Sequence, residues 1–211
     1  MANYHPSDEL LMEFTAGQKH DPLGIMVACH LESCRECQQR IQMFEQLGGE
    51  LLQETDPQPV SKDLLETLLS RLNEPAKAEA KYNGDPRIPR PLQRFVTSFY
   101  DGLPWKGFTK NIKEFTLPFS NKQYVAKFYK IAAGKQLPVH THRGNEYTLV
   151  MSGKFSDDAG DYQQGDFILA DTNTHHQPRA GMEEDCICFA VMDAPLKFTG
   201  LFGRLLNPFM R

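Results

Sequence analysis

Two groups of residues in this chain have the types and spacing of metal ligands. The first is H-x-x-x-C-x-x-C, formed by His30, Cys34 and Cys37 within "CHLESCREC" at residues 29–37. The chain holds 5 cysteines in 211 residues, so a tight group of three with a histidine asks for a reason. Read as one continuous helix, the segment sets His30, Cys34 and Cys37 at i, i+4 and i+7, within roughly 60° of arc, and turns Cys29 about 100° away from His30. One imidazole and two thiolates on a stripe suit tetrahedral zinc, which then needs a fourth donor from another segment. Such a donor would tie two helices of a small domain together. His5, ahead of the first predicted helix, is the candidate, although a lone N-terminal histidine is more often simply solvated. Two other readings stay open. C-x-x-C is also a redox pair, though the thioredoxin-type motif sits near a βαβ pattern that this chain lacks. Free cysteines also bury readily as small core residues, which is the reading for Cys29.

The second group lies in "GKQLPVHTHRGNEYTLVMSG", residues 134–153. On a strand, His140 and His142 face the same side, and the turn "RGN" brings Glu146 back on the next strand. Alternation then puts Thr148 and Val150 on the inward face with Glu146. Two imidazoles and a carboxylate suit zinc, iron, manganese, nickel or copper, and the ligands alone do not choose. Cys186 and Cys188, at i and i+2 on an apolar run, read as barrel core rather than a redox pair, because burial raises a thiol's pKa and dulls it. His20 belongs to neither group.

The elements that must hold these residues fall into two halves. In "HPSDELLMEFTAG", Ser7 is a helix N-cap, Asp8 and Glu9 occupy the first turn where the dipole favours anions, and Gly17 is a stop. The next helix starts with Asp21 as cap and Pro22 in the first turn, and closes at Gly48-Gly49. A third begins at Ser61, with Leu64, Leu65, Leu68, Leu69 and Leu72 in one apolar stripe. That stripe is either the core of a small bundle or a surface docked on a partner, since a three-helix segment has little core of its own. Residues 74–91 are rich in proline and alternating charge and read as a linker. Beyond them "QYVAKFYKIAAG", "NEYTLVMSG", "GDFILADTN" and "CICFAVMD" are short strands at the spacing of an all-β sandwich or barrel. The expected fold is α+β in two domains: a helical bundle over 1–73, the linker 74–91, and an all-β domain over 92–211.

Composition narrows the function. Net charge is −4, which leaves no basic footprint for a phosphate backbone, so direct nucleic-acid binding is not expected. The N-terminus lacks the pattern of a signal peptide and nowhere do 18 apolar residues run together, so no membrane contact is expected and the chain reads as cytoplasmic. In that compartment thiols stay reduced, and an odd cysteine count favours metal or reversible redox chemistry over structural disulfides.

The helical motif, with "HPSDELLMEFTAG" ahead of it, resembles the zinc-binding anti-sigma factors of the ChrR type. The resemblance implies a helical zinc-binding bundle with His5, His30, Cys34 and Cys37 as ligands, clasping a sigma factor of the extracytoplasmic-function group. The spacing G-x5-H-x-H-x3-E-x6-G is similar to the first motif of the cupin superfamily, which implies a jelly-roll barrel. The second cupin motif should supply one more histidine eleven residues after a glycine, and Gly165 and His176 have that separation, with His175 beside it. Here the chain departs from the pattern: Asp171 and Asn173 stand for the expected proline and glycine, and Ala180 for the asparagine. The H-x-P run His176–Pro178 is similar to that of ChrR-type proteins and favours His176. The implied cupin set is therefore His140, His142, Glu146 and His176 around a divalent transition metal: zinc, iron, manganese or nickel.

By the same resemblance the chain is a transcription regulator that sequesters its sigma factor and releases it under oxidative stress, from singlet oxygen or organic hydroperoxides, sensed through the cupin. Two switches are conceivable: oxidation of the N-terminal thiolates with loss of zinc, or a signal at the cupin alone with the first zinc structural. A fully ligated tetrahedral zinc favours the second. The alternative function is a dioxygenase-like cupin metalloenzyme with an accessory zinc-tied helical module, since fold does not dictate function. Against it stands the lack of acid–base groups near the motif beyond Glu146, itself a ligand.

Overall fold

A computed structural model of the chain describes residues 2–18, 22–72, 82–107, 109–120 and 123–199. Asp21, His20 and the apolar C-terminal tail from 200 lie outside the described residues. Helix α1 spans Asp8–Thr15; the Ser7 hydroxyl accepts the Leu10 N–H at 3.2 Å, and Gly17 takes φ 70° just past its end. Helix α2 spans Leu23–Leu31 and helix α3 spans Arg35–Gln53. The single helix expected across the cysteine motif is therefore two. The chain leaves α2 at Glu32, and Cys34, with extended backbone (φ −101°, ψ 100°), becomes the N-cap of α3, its Sγ accepting the Cys37 N–H at 3.5 Å. A thiol here does the capping that serine or aspartate does elsewhere. Nor do Gly48 and Gly49 stop α3. Neither adopts the positive φ through which glycine ends a helix, and the helix runs one turn further.

Helix α4, Leu64–Arg71, starts after Asp63 rather than at Ser61, and every residue from 61 to 72 is exposed. Among the described residues the leucine stripe packs on no core. Of the proline-rich stretch, 73–81 lie outside the described residues; 82–91 are irregular in sequence because their contacts are tertiary, Asp85 and Ile88 each being 1% exposed. It leads into the short helix α5, Arg90–Gln93, which packs on α2, and then into a 3-10 turn at Tyr100–Gly102.

The strands follow as β1 (Lys106–Gly107), β2 (Ile112–Thr116), β3 (Val125–Ile131), β4 (His140–His142), β5 (Glu146–Ser152) and β6 (Lys154–Asp157). After them come β7 (Gly160–Gln163), β8 (Phe167–Ala170), β9 (His175–His176), β10 (Arg179–Ala180), β11 (Cys186–Met192) and β12 (Leu196–Phe198). All pairings are antiparallel and build a six-stranded sheet, β1-β2-β3-β11-β5-β8, with two three-stranded sheets, β10-β6-β7 and β12-β4-β9. The four strand runs legible in the sequence are β3, β5, β8 and β11, all in the large sheet. The fold is α+β: helices first, then an all-β barrel.

β11 is buried along its whole length. One face, with Cys186 and Cys188, lines the barrel interior beside Val150, Phe155 and Tyr162. The other, with Ile187, Phe189 and Val191, joins a second core with Leu23, Met26 and Val27 of α2, Ile88 just before α5 and Leu92 within it, and Phe128 and Phe167 of the sheet. A strand covered on both faces needs no polar alternation, which explains the continuous apolar run. α2 is likewise apolar nearly all round because it lies between α1, α3 and the sheet.

Candidate metal centres

Among the described residues two groups of His, Cys, Asp and Glu bring one potential ligand atom each to within 4.8 Å of all the others: His5, His30, Cys34 and Cys37, and His140, His142 and His176.

The first group forms where α2 ends, α3 begins and the N-terminal segment crosses them. His30 and Cys37 are fully buried, and Cys34 is 5% exposed. His30 Nδ1 lies 2.8 Å from the Gly165 carbonyl, to which it donates, so that Nε2 turns its lone pair toward Cys37 Sγ at 3.3 Å. His5 Nδ1 lies 3.3 Å from Cys34 Sγ and 3.5 Å from Cys37 Sγ, with its Nε2 3.4 Å from Glu36. Convergence thus comes from a helix–turn–helix and a strap, not from one helical stripe. Burial pushes the His30 pKa below its ordinary value, which keeps the imidazole neutral and able to ligate. The Cys37 thiol, in the absence of a cation, is pushed up to about 12 by burial and by the adjacent Cys34. Cys29 faces the core, away from the group.

The second group forms on a two-strand ladder, where β4 pairs with β9 and His140 stands directly opposite His176. His140 donates Nδ1–H to the Pro138 carbonyl at 2.9 Å, and His176 donates Nδ1–H to Asp157 Oδ2 at 2.7 Å. With those protons committed, the Nε2 lone pairs face inward: His176 Nε2 lies 3.1 Å from His140 Nε2 and 3.2 Å from His142 Nε2. Lone pairs so placed repel one another, and a shared cation is what such an array fits. Burial takes His140 down to about 4, so it too is neutral at ordinary pH. Glu146 faces the same cavity but stands outside the mutual group of three. Its Oε2 is 3.5 Å from His142 Nδ1, too long for a hydrogen bond, and among the described residues both atoms are buried without a hydrogen-bond partner. Burial raises the Glu146 carboxyl, but the facing His142, then His140 and His176, outweigh it and leave the pKa below its ordinary value. Thr148 donates to Glu146 Oε1 at 3.3 Å, as the alternation along β5 predicts. His175 points outward to the Thr199 hydroxyl at 3.0 Å, and His176 is the one that enters the group.

The cavity over this group, bounded by Tyr129, Leu137, Phe155, Cys188 and Leu196, measures ≈ 50 Å³. That holds an ion with water or a very small ligand, against several hundred Å³ for ordinary substrate pockets.

Sequence reasoning missed the groups that orient the ligands. Asp157 lies in "DDAG", where an aspartate reads as a turn former, and it is one: Oδ1 accepts the Ala159 and Gly160 N–H groups at 2.9 and 3.2 Å. Its second role behind His176 has no local signal. The Pro138 and Gly165 carbonyls have none either, being backbone.

Fold and site together define a cupin joined to a helical module that carries its own His/Cys cluster. Residues 93–194 match the family described as the ChrR cupin-like domain. Over 209 residues, 99% of this chain and 98% of the relative, the sequence is 34% identical to the anti-sigma-E factor ChrR of Cereibacter sphaeroides. The crystal structure of Rhodobacter sphaeroides SigE in complex with the anti-sigma ChrR superposes with a TM-score of 0.80 at 32% identity, covering 91% of this chain and 100% of that one. The chain belongs to the ChrR family of anti-sigma factors, and it is a regulator rather than an enzyme. No helix among the described residues is long and apolar enough to cross a membrane.

Proposed function

We propose that this chain sequesters a sigma factor of the extracytoplasmic-function type in the cytoplasm through its helical module, and releases it when an oxidative signal reaches the cupin. The observation that carries the reading is the uncovered apolar surface of two helices: Leu65, Leu68 and Leu69 on α4 and Leu72 at its C-cap are 49–78% exposed, and Met43, Leu47, Leu51 and Leu52 on α3 are 56–71% exposed. An apolar surface of this extent on two consecutive helices is what a tightly held partner covers. Family membership supplies the kind of partner.

In this reading His5, His30, Cys34 and Cys37 hold zinc, whose preference for tetrahedral nitrogen and sulfur donors matches the set. His140, His142 and His176 hold a divalent transition metal, with Glu146 as the fourth ligand after a side-chain rotation away from His142. Bound there, the metal would polarise or exchange electrons with a small oxidant such as singlet oxygen or a hydroperoxide. The chain's own part is to hold three imidazoles aimed at one point, and to exclude larger molecules from a ≈ 50 Å³ cavity. The first zinc is structural, and the signal acts at the cupin.

The test is co-purification. The full chain, co-expressed with the extracytoplasmic-function sigma factors of its own organism, should retain one of them and lose it on exposure to singlet oxygen or an organic hydroperoxide. Retention of none sinks the partner assignment. Retention without release, in a chain whose cupin metal is present, sinks the sensing role.

A further inference from the structure

A line of side chains joins the two clusters. His176 donates to Asp157 Oδ2, and the other Asp157 oxygen receives the Tyr162 hydroxyl at 3.3 Å. The Tyr162 ring is buried between Phe155, with centroids 4.7 Å apart, and Tyr4, at 4.8 Å. Tyr4 immediately precedes His5. Its backbone is clamped to the barrel: the Tyr4 N–H donates to Asp166 Oδ1 at 3.2 Å, and the Phe167 N–H donates to the Tyr4 carbonyl at 3.0 Å. Asp166 is fully buried and also accepts the Gln163 N–H at 2.7 Å. The β6–β7 hairpin therefore touches a cupin histidine at its turn and the first residues of the chain at its far strand.

We propose that Asp157 and Tyr162 are positioning residues that carry the state of the His140–His142–His176 cluster to His5. The inference rests on reading both clusters as metal centres. Asp157 serves the His176 ring, the Tyr162 hydroxyl and the N–H groups of its own turn at once, so a shift of His176 cannot be absorbed by Asp157 alone. Close-packed interiors pass such shifts on rather than damping them. The receiving end is the least secured member of the first cluster. The His5 side chain is 20% exposed and its outer nitrogen faces Glu36 at 3.4 Å, whereas His30, Cys34 and Cys37 are buried. Withdrawal of His5 would open one side of that cluster and loosen the crossing of the N-terminal segment over α2 and α3, the second of which carries part of the surface assigned to the partner.

Cobalt(II) bound to the full chain reports the two centres separately, because only the His5–His30–Cys34–Cys37 set gives sulfur-to-cobalt charge-transfer absorption. Metal content should be two per chain, and one in His142→Ala. The rate at which a chelator removes the sulfur-bound cobalt is then compared between the wild type and His142→Ala. We expect these rates to differ by about 5-fold or more, the lower end of ordinary coupling between sites. In Tyr162→Phe, which keeps the ring stack but not the hydroxyl, and in Tyr4→Leu, which removes the stack but not His5, the same ratio should fall below about twofold, the scatter of independent sites. A purely structural Tyr162 would change both rates together and leave their ratio intact, which overturns the inference. Equal rates in the wild type and His142→Ala overturn it too. Metal content below two per chain brings down the reading of two centres along with it.

Discussion

Asp85 shows how one carboxylate holds the passage between helices and barrel. Buried at 1% exposure, it accepts the Arg87 N–H at 3.0 Å, Arg87 Nε–H at 2.8 Å and the Tyr100 N–H at 3.3 Å. The Arg87 hydrogen bond comes first among the causes that hold its pKa down to about 2. A carboxyl depressed in the folded state contributes stability above its unfolded pKa of about 3.9 and loses it as pH falls through the folded value. Melting curves of wild type and Asp85→Asn should therefore converge between about pH 4 and pH 2, where the native carboxylate takes up its proton. At neutral pH Asp85→Ala should cost roughly 2–3 kcal/mol, because the Tyr100 N–H is left buried without an acceptor. Parallel melting curves down to pH 2 would show that the group is not linked to folding. Cys186 and Cys188 make the opposite case, chemistry withheld. Their sulfurs lie 3.6 Å apart, both are buried, and the Cys188 pKa is raised well above its ordinary value by its hydrogen bond with Cys186 and by burial. Peptide mapping after iodoacetamide at neutral pH should find both unmodified until denaturant is added; fast labelling of Cys188 in the native chain would contradict their assignment to the core.

At the scale of elements, α3 and α4 behave as surfaces rather than as core. Replacing Leu65 and Leu68 together by glutamate removes nothing buried, so thermal stability should move by no more than about 0.5 kcal/mol per site. Sigma-factor capture should nevertheless fall by at least about tenfold, as expected for apolar anchors of an interface. Loss of fold with loss of capture would place the stripe in a core instead. Gly48 and Gly49 sit mid-helix, and a Cβ at either would meet nothing within 4 Å. Alanine at each should add about 0.5–1 kcal/mol to local helix stability, read as slower amide exchange through the end of α3. These elements also mark where the sequence could be read and where it could not. Ser7, Gly17 and the leucine period announce helices because caps and periodicity are local. The break at Cys34 is hidden, because a cysteine acquires a capping role only once its sulfur is held in place by neighbours from another segment. β3, β5, β8 and β11 stand out as apolar runs in the central sheet. β6 and β7 do not, since "KFSDDAGDYQ" buries only Phe155 and Tyr162. Of the expected cupin ligand set, His140 and His142 follow from strand alternation and Glu146 from the motif's spacing, but the distance at which Glu146 stands from the three histidines is a tertiary fact.

Across the whole molecule the division into a helical half and a β half is visible in composition, yet the two do not have separate cores. Leu10, Leu11, Met26 and Val27 share one apolar cluster with Val96 and Tyr100, between α5 and β1, and with Phe128, Phe189 and Val191 of the barrel. The aromatic rings continue the contact, Tyr100 lying 5.6 Å from Phe128 and Phe128 5.7 Å from Phe189, edge to face. Polar contacts follow the same boundary, where His30 leans on Gly165 and Asp166 holds Asn3 and Tyr4. A helical module of this size has little to bury by itself, so most of its stability must come from the barrel, and from a metal where its His/Cys cluster binds one. Two domains joined by a slack linker would melt separately, whereas a shared core makes unfolding one event. Calorimetry of the metal-loaded chain should therefore give a single transition whose calorimetric and van't Hoff enthalpies agree. Cys34→Ser should lower that one midpoint by several degrees rather than split off an early transition. A resolved low-temperature transition that disappears in Cys34→Ser would mean that the helices fold apart from the barrel, and that the contacts between His30, Tyr4 and β8 are too weak to couple them.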